Sequence, residues 1–470
     1  MKRIAVALAS LLLAAMPLFA ADGTLPFTIE LGATMDISGA PRLQSFAAAQ
    51  ANGKWLLVGG KLTGLHTFKN ASLSDPVNNF PPSEMNNRAW VIDPVAQQVW
   101  SAALPAETGP YLTMTNPAYE QDGDTLYIAG GYGLWPTGTG PGGADNMRTF
   151  DSLSAIQVSA TIDAVIAGKP LDAFIQQIHD PRMRIAGGEL KKLGDTFFLI
   201  FGQTFDGLYT PGNAGAQTTF VQAYLEQIAT FTLGPALQIG SYRAIKTPVV
   251  PASGATADTR PFHRRDLTVG PILTPSGTNA IAAYGGVFPA GQISAFRKPV
   301  YISGPTAAQI RIDSYQQFMS QYNCAIVPMY SSASKTMYTT FLGGISLYYL
   351  FPPTKEVKRD GGIPFIDEVT TLTVTPAGQS SECIATQSLP ALLGAGAVFF
   401  PAPAVARFSN GVLQLDAIKT RTLAGWMYGG IRSSSPQTAL GEPTYGSATA
   451  IPIYITPKAS TCTIAAEPVD

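Results

Sequence analysis

A short unit that recurs six times along the chain constrains its fold more than any other feature. Each copy is an apolar run, rich in β-branched and aromatic residues, that ends in a pair of glycines. The pairs are Gly59-Gly60, Gly130-Gly131, Gly285-Gly286, Gly343-Gly344 and Gly429-Gly430, with Gly202-Gln203 as a degenerate sixth copy. Glycine at the end of a strand removes the side chain where the backbone must bend or pack closely. The repeat therefore predicts a series of similar sheet units.

In most copies a second apolar run comes first and is joined to the unit by a tight polar turn. The turns are Ala51-Asn52-Gly53-Lys54, Gln121-Asp122-Gly123-Asp124, Gly194-Asp195 and Pro275-Ser276-Gly277-Thr278. Gly, Asn and Asp tolerate the positive φ that short hairpins need. Each unit is therefore predicted to begin with a β-hairpin, and further extended segments follow, most clearly at residues 90–94 and 99–100.

Composition supports an all-β chain. The 470 residues include 46 glycines and 37 prolines, only 13% are charged and 10% are aromatic. Few charges with many aromatics exclude intrinsic disorder, while scattered glycine and proline exclude coiled coils and long helices.

The glycine doublets, together with Asp93-Pro94 and Trp100, resemble the kelch repeat, the four-stranded blade of a family of β-propellers that includes galactose oxidase. The resemblance implies a six-bladed kelch-like β-propeller over residues 22–460, followed by a C-terminal tail at 461–470. The copies lie 58 to 86 residues apart, whereas kelch repeats run about 50, so the blades must carry insertions. A seventh divergent blade, a β-sandwich and an outer-membrane barrel remain as alternatives.

The insertions are expected on one face of the propeller. Residues 61–87 and 132–146 follow glycine doublets and are far longer than ordinary connections. Long loops on a rigid scaffold often carry binding, although they can also simply cap the blades. Helically spaced apolar residues between Ile162 and Ile178 predict a helical insertion before the third blade, and residues 315–322 predict a short helical turn.

Arginines gather at the predicted blade entrances. Arg182 and Arg184 are two residues apart, so they are predicted to share one side of a strand, the side of the channel, and Arg264-Arg265 begins the next blade. Converging guanidinium groups would clamp a carboxylate or phosphate. Similarity to kelch-type sialic-acid mutarotases implies an anionic sugar as one such ligand. The alternative is structural, with the arginines paired to Asp180 or Asp266.

The three histidines, His66, His179 and His263, all fall in segments assigned to the same face. His179 and His263 are candidates for a general acid or base, but no assembled catalytic set is recognised. No metal or cofactor is expected, because the histidines lack ligand spacing and neighbouring tyrosines. The remaining ligand-binding candidates are aromatic or flank aromatics: His66, Tyr132, Trp135, Phe205 and Tyr209.

The N-terminus predicts export. Met1-Lys2-Arg3 precedes an uncharged apolar stretch that ends near Ala20 and Ala21, as in a cleaved secretory signal over residues 1–21. The expected location is periplasmic or extracellular, with no membrane span. The formal charge of −1 attracts no nucleic acid. Among Cys324, Cys383 and Cys462, one disulfide and one thiol are expected, with all three pairings open.

The favoured interpretation is a monomeric, non-catalytic module that binds a glycan or protein ligand through the insertion-rich face. An enzyme acting on an anionic sugar and a structural component of the cell envelope are the two alternatives.

Overall fold

A computed structural model describes residues 22–66, 80–136, 146–208, 220–246, 259–289, 293–437 and 443–464. The predicted signal segment and Tyr209 lie outside the described residues. The chain is all-β and forms many small antiparallel sheets, which is compatible with a propeller-like fold. Within the described ranges, no helix combines the length and apolarity needed to cross a membrane.

Six sheets follow one another along the chain, and each contains an antiparallel meander of four strands. Sheet I comprises Ala47–Ala51, Lys54–Val58, Arg88–Asp93 and Gln98–Ala103. Sheet II comprises Ala118–Asp122, Thr125–Ala129, Ser152–Gln157 and Ile175–His179. Sheet III comprises Glu189–Leu193, Thr196–Ile200, Gln227–Leu233 and Ile239–Lys246.

Sheet IV comprises Thr268–Leu273, Asn279–Tyr284, Val300–Ile302 and Ile310–Ile312. Sheet V comprises Ala325–Ser331, Thr336–Ile345, Phe365–Val374 and Ser380–Ile384, and is extended by Ser460–Ile464, Asp22–Leu25 and Leu413–Gln414. Sheet VI comprises Leu392–Pro401, Thr422–Ser433, Thr449–Thr456 and Thr28–Leu31, with Met35–Asp36 and Thr444–Gly446 at its sides.

Insertions add two further sheets. The insert sheet combines segments that follow the doublets of sheets II and III: Tyr132–Leu134, Met147–Thr149, Gln203–Gly207 and Phe220–Tyr224. A hairpin of Tyr348–Phe351 and Glu356–Arg359 follows the doublet of sheet V. The inserted segments of sheets II, III and V therefore follow the glycine doublets, as the sequence predicts.

The glycine doublets connect neighbouring sheets. The amide of the second glycine donates to a carbonyl just before the next sheet, over 2.7–3.0 Å, in four cases: Gly60 to Met114, Gly131 to Ile185, Gly202 to Arg264 and Gly430 to Leu43. All these glycines have positive φ, between 81° and 89°. The degenerate copy is Phe201-Gly202 rather than Gly202-Gln203, because Phe201 occupies the first position with a φ of 56°.

The ends of the chain complete the last two sheets. Thr28–Leu31 pairs antiparallel with residues 453–456, so the N-terminal strand supplies the fourth strand of sheet VI. Ser460–Ile464 pairs with sheet V, so residues 461–464 of the expected tail belong to a strand. A disulfide between Cys383 and Cys462 joins the strands Ser380–Ile384 and Ser460–Ile464 of sheet V, and Cys324 is a buried free thiol.

Helices are few. The α-helix Val158–Ile166 lies where helical spacing predicts one, but within sheet II, between its third and fourth strands. The second half of that prediction is wrong, because Ile175–His179 pairs with Ser152–Gln157 as a strand. The helical turn expected at 315–322 is absent from these described residues. The other helical segments among the described residues are single turns: Gly109–Leu112, Pro82–Glu84, Asp172–Phe174, Pro181–Met183, Pro235–Leu237, Ala307–Gln309 and Leu415–Ala417.

Aromatic side chains pack the contact between the first and last sheets. Trp55 of sheet I is buried, stacks on Phe400 at 4.5 Å between ring centres and meets the edge of Trp426 at 5.9 Å. Sheets I and VI, far apart in sequence, therefore share one hydrophobic core.

Candidate ligand site in the central cavity

A central cavity of about 1030 Å³ lies among the first strands of the six sheets. Every first strand contributes to its wall, for example through Ala49, Glu120, Lys191, Gly270, Ile326 and Phe399. The volume is near the upper end of small-molecule pockets, which span roughly 300–1,000 Å³.

A ring of six equivalent residues lies at one end of this cavity. Its members are Ser45, Asn116, Gly187, Asp266, Asn323 and Gly396, and each has a φ between 51° and 70°. Within the ring, the amide of one residue donates to the carbonyl of the residue before it at five of the six junctions, over 2.5–3.1 Å. Short polar residues and glycine suit these positions, because they tolerate the left-handed region. Direct backbone contact between neighbours narrows the cavity at this end.

Two ring side chains also contact each other. The Asn116 amide donates to Asp266 Oδ1 at 3.0 Å. A Cβ added at Gly187 would lie 2.7 Å from that same oxygen, so a larger residue there would displace the Asp266 carboxylate. Burial raises the pKa of Asp266, against the opposing effects of Arg265 and Asn116.

One wall of the cavity carries charge. Lys191 Nζ lies 3.2 Å from Glu189 Oε2 and 3.5 Å from Glu120 Oε2, and it donates to the Tyr119 carbonyl at 3.2 Å. Glu189 and Lys191 are two apart in a strand, so they share a face, and Glu120 comes from the neighbouring sheet. Two carboxylates thus share one ammonium group.

Burial sets the protonation of this charged wall. Desolvation raises the pKa of Glu120 to about 6, although Lys191 opposes it, and it raises the pKa of Glu189 as well. Desolvation would lower the pKa of Lys191, but Glu189 and Glu120 outweigh it and the net shift is upward. The ammonium group therefore stays charged at neutral pH, with one carboxylate close to its titration point.

The opposite wall is apolar. It is built from sheets V and VI, including Ile326, Val398 and Phe399. At the end away from the ring, the segment 402–421 reaches across to sheet IV, where Asn410 Nδ2 donates to the Ile272 carbonyl at 3.0 Å. The cavity therefore offers hydrogen-bonding groups on one side and apolar contact on the other.

The four predicted arginines do not meet there. Arg182 binds Asp180 through Nε at 2.9 Å and Nη2 at 2.6 Å, and lies over the Tyr242 ring. The guanidinium of Arg184 donates to the Asp206 carboxylate. Arg182 belongs to the turn Pro181–Met183, so the two arginines do not share a strand face as expected. Among the described residues that line the central cavity, none of the four occurs.

Arg264 and Arg265 are structural in different ways. Arg264 is 1% exposed and donates to the carbonyls of Pro261, Gly285 and Lys298. Arg265 Nε lies 3.6 Å from Asp266 Oδ2, as the structural alternative expects.

Two predicted histidines contact carboxylates. His179 Nδ1 lies 2.8 Å from Asp151 Oδ1. His263 Nδ1 hydrogen-bonds with Glu226, and its ring stacks on Tyr224 at 3.8 Å. The two pairs belong to different sheets, and neither histidine is among the cavity-lining residues described.

The predicted aromatics form a packed row. His66 contacts Phe80 at 5.4 Å, Phe80 contacts Tyr132 at 5.5 Å, and Tyr132 contacts Phe205 at 5.4 Å between ring centres. Phe205 is 2% exposed, and the Tyr132 hydroxyl donates to the Gly207 carbonyl at 2.6 Å. Trp135 is half-buried beneath the Arg148 guanidinium, at 4.3 Å. Most of this row forms the core beneath the insert sheet.

Sequence reasoning did not select Glu120, Glu189 or Lys191. A signal was present: the first strands of sheets II and III carry glutamate and lysine, whereas those of sheets I, IV, V and VI are almost wholly uncharged. Over the described residues, no three His, Cys, Asp or Glu side chains are grouped as metal ligands. A scan against protein-family models and a search of curated protein sequences find no match to this chain.

Proposed function

We propose that this chain is an exported, six-bladed, kelch-like β-propeller that binds a small hydroxyl-rich ligand, such as a sugar, in its central cavity. Three features support the propeller: six consecutive four-stranded meanders, an N-terminal strand that completes the last sheet, and the backbone ring. Export is supported by the basic and apolar N-terminus together with a disulfide, since disulfides persist in oxidising compartments.

The observation that carries the binding proposal is the pairing of a charged wall with an apolar one. Glu120 and Glu189 accept hydrogen bonds from hydroxyl groups, while Lys191 contacts both carboxylates and the Tyr119 carbonyl and so holds the two acceptors in place. Phe399 and Ile326 offer contact to the carbon-bound face of a sugar ring. Two of the three described cations that line this cavity, Lys191 and Lys192, pair with carboxylates and only Arg407 is added to them, so the lining favours a neutral sugar over an anionic one.

The test is calorimetric titration of the mature protein with glucose, galactose and N-acetylglucosamine, alongside a glycan array. Lys191→Met leaves two carboxylates facing each other and is expected to abolish binding. Lys169→Gln, at an exposed position beyond the helix Val158–Ile166, is the matched control and is expected to bind normally. If the wild-type protein binds no glycan on the array and none of the three sugars in the titrations, the cavity is not a sugar site.

A second candidate is protein binding through the insertion-rich face. Val221 is 69% exposed and Leu134 is 39% exposed, and both belong to the insert sheet. Exposed apolar side chains on inserted strands are suited to a protein partner. Val221→Glu would weaken such an interaction in a periplasmic pull-down while leaving sugar binding intact.

A further inference from the structure

A second pocket, of about 470 Å³, lies between sheet IV and the hairpin that follows the doublet of sheet V. Its described lining includes Arg264, Phe296, Arg297, Asp313, Tyr348 and Arg359. Three arginines, one lysine (Lys298) and one carboxylate therefore line a space that is separate from the central cavity.

Arg264 is a buried charge that pairs with no carboxylate among the described residues. It occupies the position that Leu43, Met114 and Ile185 fill before other sheets, and its guanidinium lies between Phe201 and Phe296, 5.4 and 4.3 Å from the ring centres. Its hydrogen bonds among the described residues all go to carbonyl groups. Burial lowers its pKa to about 9, so the group remains a cation at neutral pH. A buried ion without a counter-ion is costly.

Arg297 adds an unsatisfied donor to the same pocket. Its Nε donates to the Gln317 carbonyl at 2.8 Å, and its plane lies over Tyr348 at 4.8 Å and Phe318 at 5.2 Å. These contacts hold the guanidinium in place. Nη2 is buried and has no hydrogen-bond partner among the described residues.

The two carboxylates near this pocket, Asp313 and Glu382, form hydrogen bonds with other groups. Asp313 receives Arg311 Nη1 at 3.4 Å, the Tyr315 amide at 3.3 Å and the Ser380 hydroxyl at 3.3 Å. Glu382, which acts on Arg297 electrostatically, accepts the amides of Phe318 and Met319, and burial raises its pKa to about 7. Among the described residues, neither acid forms an ion pair with Arg264, Arg297 or Arg359, and burial weakens the negative charge that Glu382 offers to Arg297.

We propose that this pocket binds the carboxylate or phosphate group of a small anionic ligand, with Arg297 Nη2 donating to it and Arg264 supplying buried positive charge. Phe296 and Tyr348 wall the site, and the exposed Arg359 lies at its rim. The ligand supplies a counter-ion that the described residues around Arg264 do not. The proposal is independent of sugar binding in the central cavity.

The test is calorimetric titration of the mature protein with inorganic phosphate and with glucuronate, using glucose as the neutral counterpart. Both variants, Arg297→Gln and Arg359→Gln, remove a charge from the pocket, whereas Arg243→Gln removes one from an exposed position in sheet III. Arg297→Gln is expected to weaken anion binding at least tenfold, and Arg359→Gln severalfold. Arg243→Gln is expected to change nothing.

Preference for glucuronate over phosphate would identify an acidic sugar, and the reverse a phosphorylated ligand. Binding should also raise the melting temperature of the wild-type protein but not of Arg297→Gln. The proposal is overturned if neither anion binds the wild-type protein, or if Arg243→Gln loses as much affinity as the pocket variants. Because Arg359 is exposed, its variant keeps the test decisive should Arg297→Gln fail to fold.

Discussion

The close approach between sheets II and III at Gly130 can be tested by a matched pair of glycine substitutions. Gly130 has a φ of 64°, and a Cβ placed on it would lie 2.2 Å from the Ile185 carbonyl oxygen. Gly123, in the preceding hairpin turn, has a φ of 59°, and nothing lies within 4 Å of its added Cβ. Alanine at either position meets the same backbone strain, but only at Gly130 does it also meet the next sheet.

The two substitutions differ in cost, because both introduce backbone strain but only Gly130→Ala also introduces steric overlap. A left-handed non-glycine residue costs about 1–2 kcal/mol, partly offset by about 0.4–1 kcal/mol from the stiffer unfolded chain. Gly123→Ala is therefore expected to cost about 1 kcal/mol. At Gly130 the backbone of sheet III must move away by about 1 Å to reach ordinary contact, and overpacking of this kind adds about 1–3 kcal/mol. We expect Gly130→Ala to cost about 3 kcal/mol.

The assay is urea denaturation of the mature protein followed by tryptophan fluorescence. Trp55 and Trp426 are buried, so their emission reports loss of the core between sheets I and VI. The quantity compared is the difference between the two variants in free energy of unfolding. If the two variants lose the same free energy of unfolding within about 0.5 kcal/mol, glycine is needed at position 130 only for its positive φ. The argument that Gly130 allows neighbouring sheets to approach closely would then be refuted.

Three further predictions concern stability. Cys383→Ser opens a loop whose ends are 79 residues apart, so we expect the free energy of unfolding to fall by about 4–5 kcal/mol. Cys324→Ser replaces only the free thiol and should cost about 1 kcal/mol. Peptide mapping that finds Cys324 in a disulfide would contradict this prediction. Burial raises the pKa of Glu382 from 4.5 to about 7, so the folded state binds the proton more tightly than the unfolded chain. Its contribution to stability is lost as the pH rises from 4.5 through 7, by on the order of 3 kcal/mol, so in urea titrations at pH 5 and 8 Glu382→Gln should lose less stability than the wild-type protein by about that amount. Arg264→Met leaves three carbonyl groups without their donor and should lower the free energy of unfolding by about 2–4 kcal/mol. Arg184→Ala removes a partly exposed ion pair and should lower it by less than about 1 kcal/mol. Similar losses for the two variants in urea denaturation would contradict the argument that burial makes the Arg264 hydrogen bonds more important.

Local features of the sequence predicted much of the backbone. Asn52-Gly53 marks the first hairpin turn, and both residues have positive φ, at 52° and 76°. The doublets end strands in sheets I to IV, as predicted, but Gly343-Gly344 and Gly429-Gly430 lie within the longer strands Thr336–Ile345 and Thr422–Ser433. Glycine suits all these positions, because φ is positive and another backbone lies close. These are properties of a few consecutive residues, so they can be read from the chain.

Periodicity was a weaker guide where two structures compete for one segment. Ile175 and Ile178 have helical spacing, but the chain leaves the helix near Gly168 and runs beside Ser152–Gln157. The open edge of that strand supplies hydrogen-bond partners, so pairing decides the conformation. The same limit applies to Arg182, whose place in a turn rather than a strand depends on Asp180 capping it.

The sequence by itself determined the hairpins, the repeat of glycine doublets and the all-β class, because turn chemistry and strand alternation act over a few residues. Only the tertiary structure decided which side chains meet. Lys191 contacts Glu120 from another sheet, and Arg264 and Arg297 line the same pocket. Such contacts depend on how sheets stack around the centre, which places residues far apart in sequence within hydrogen-bonding distance.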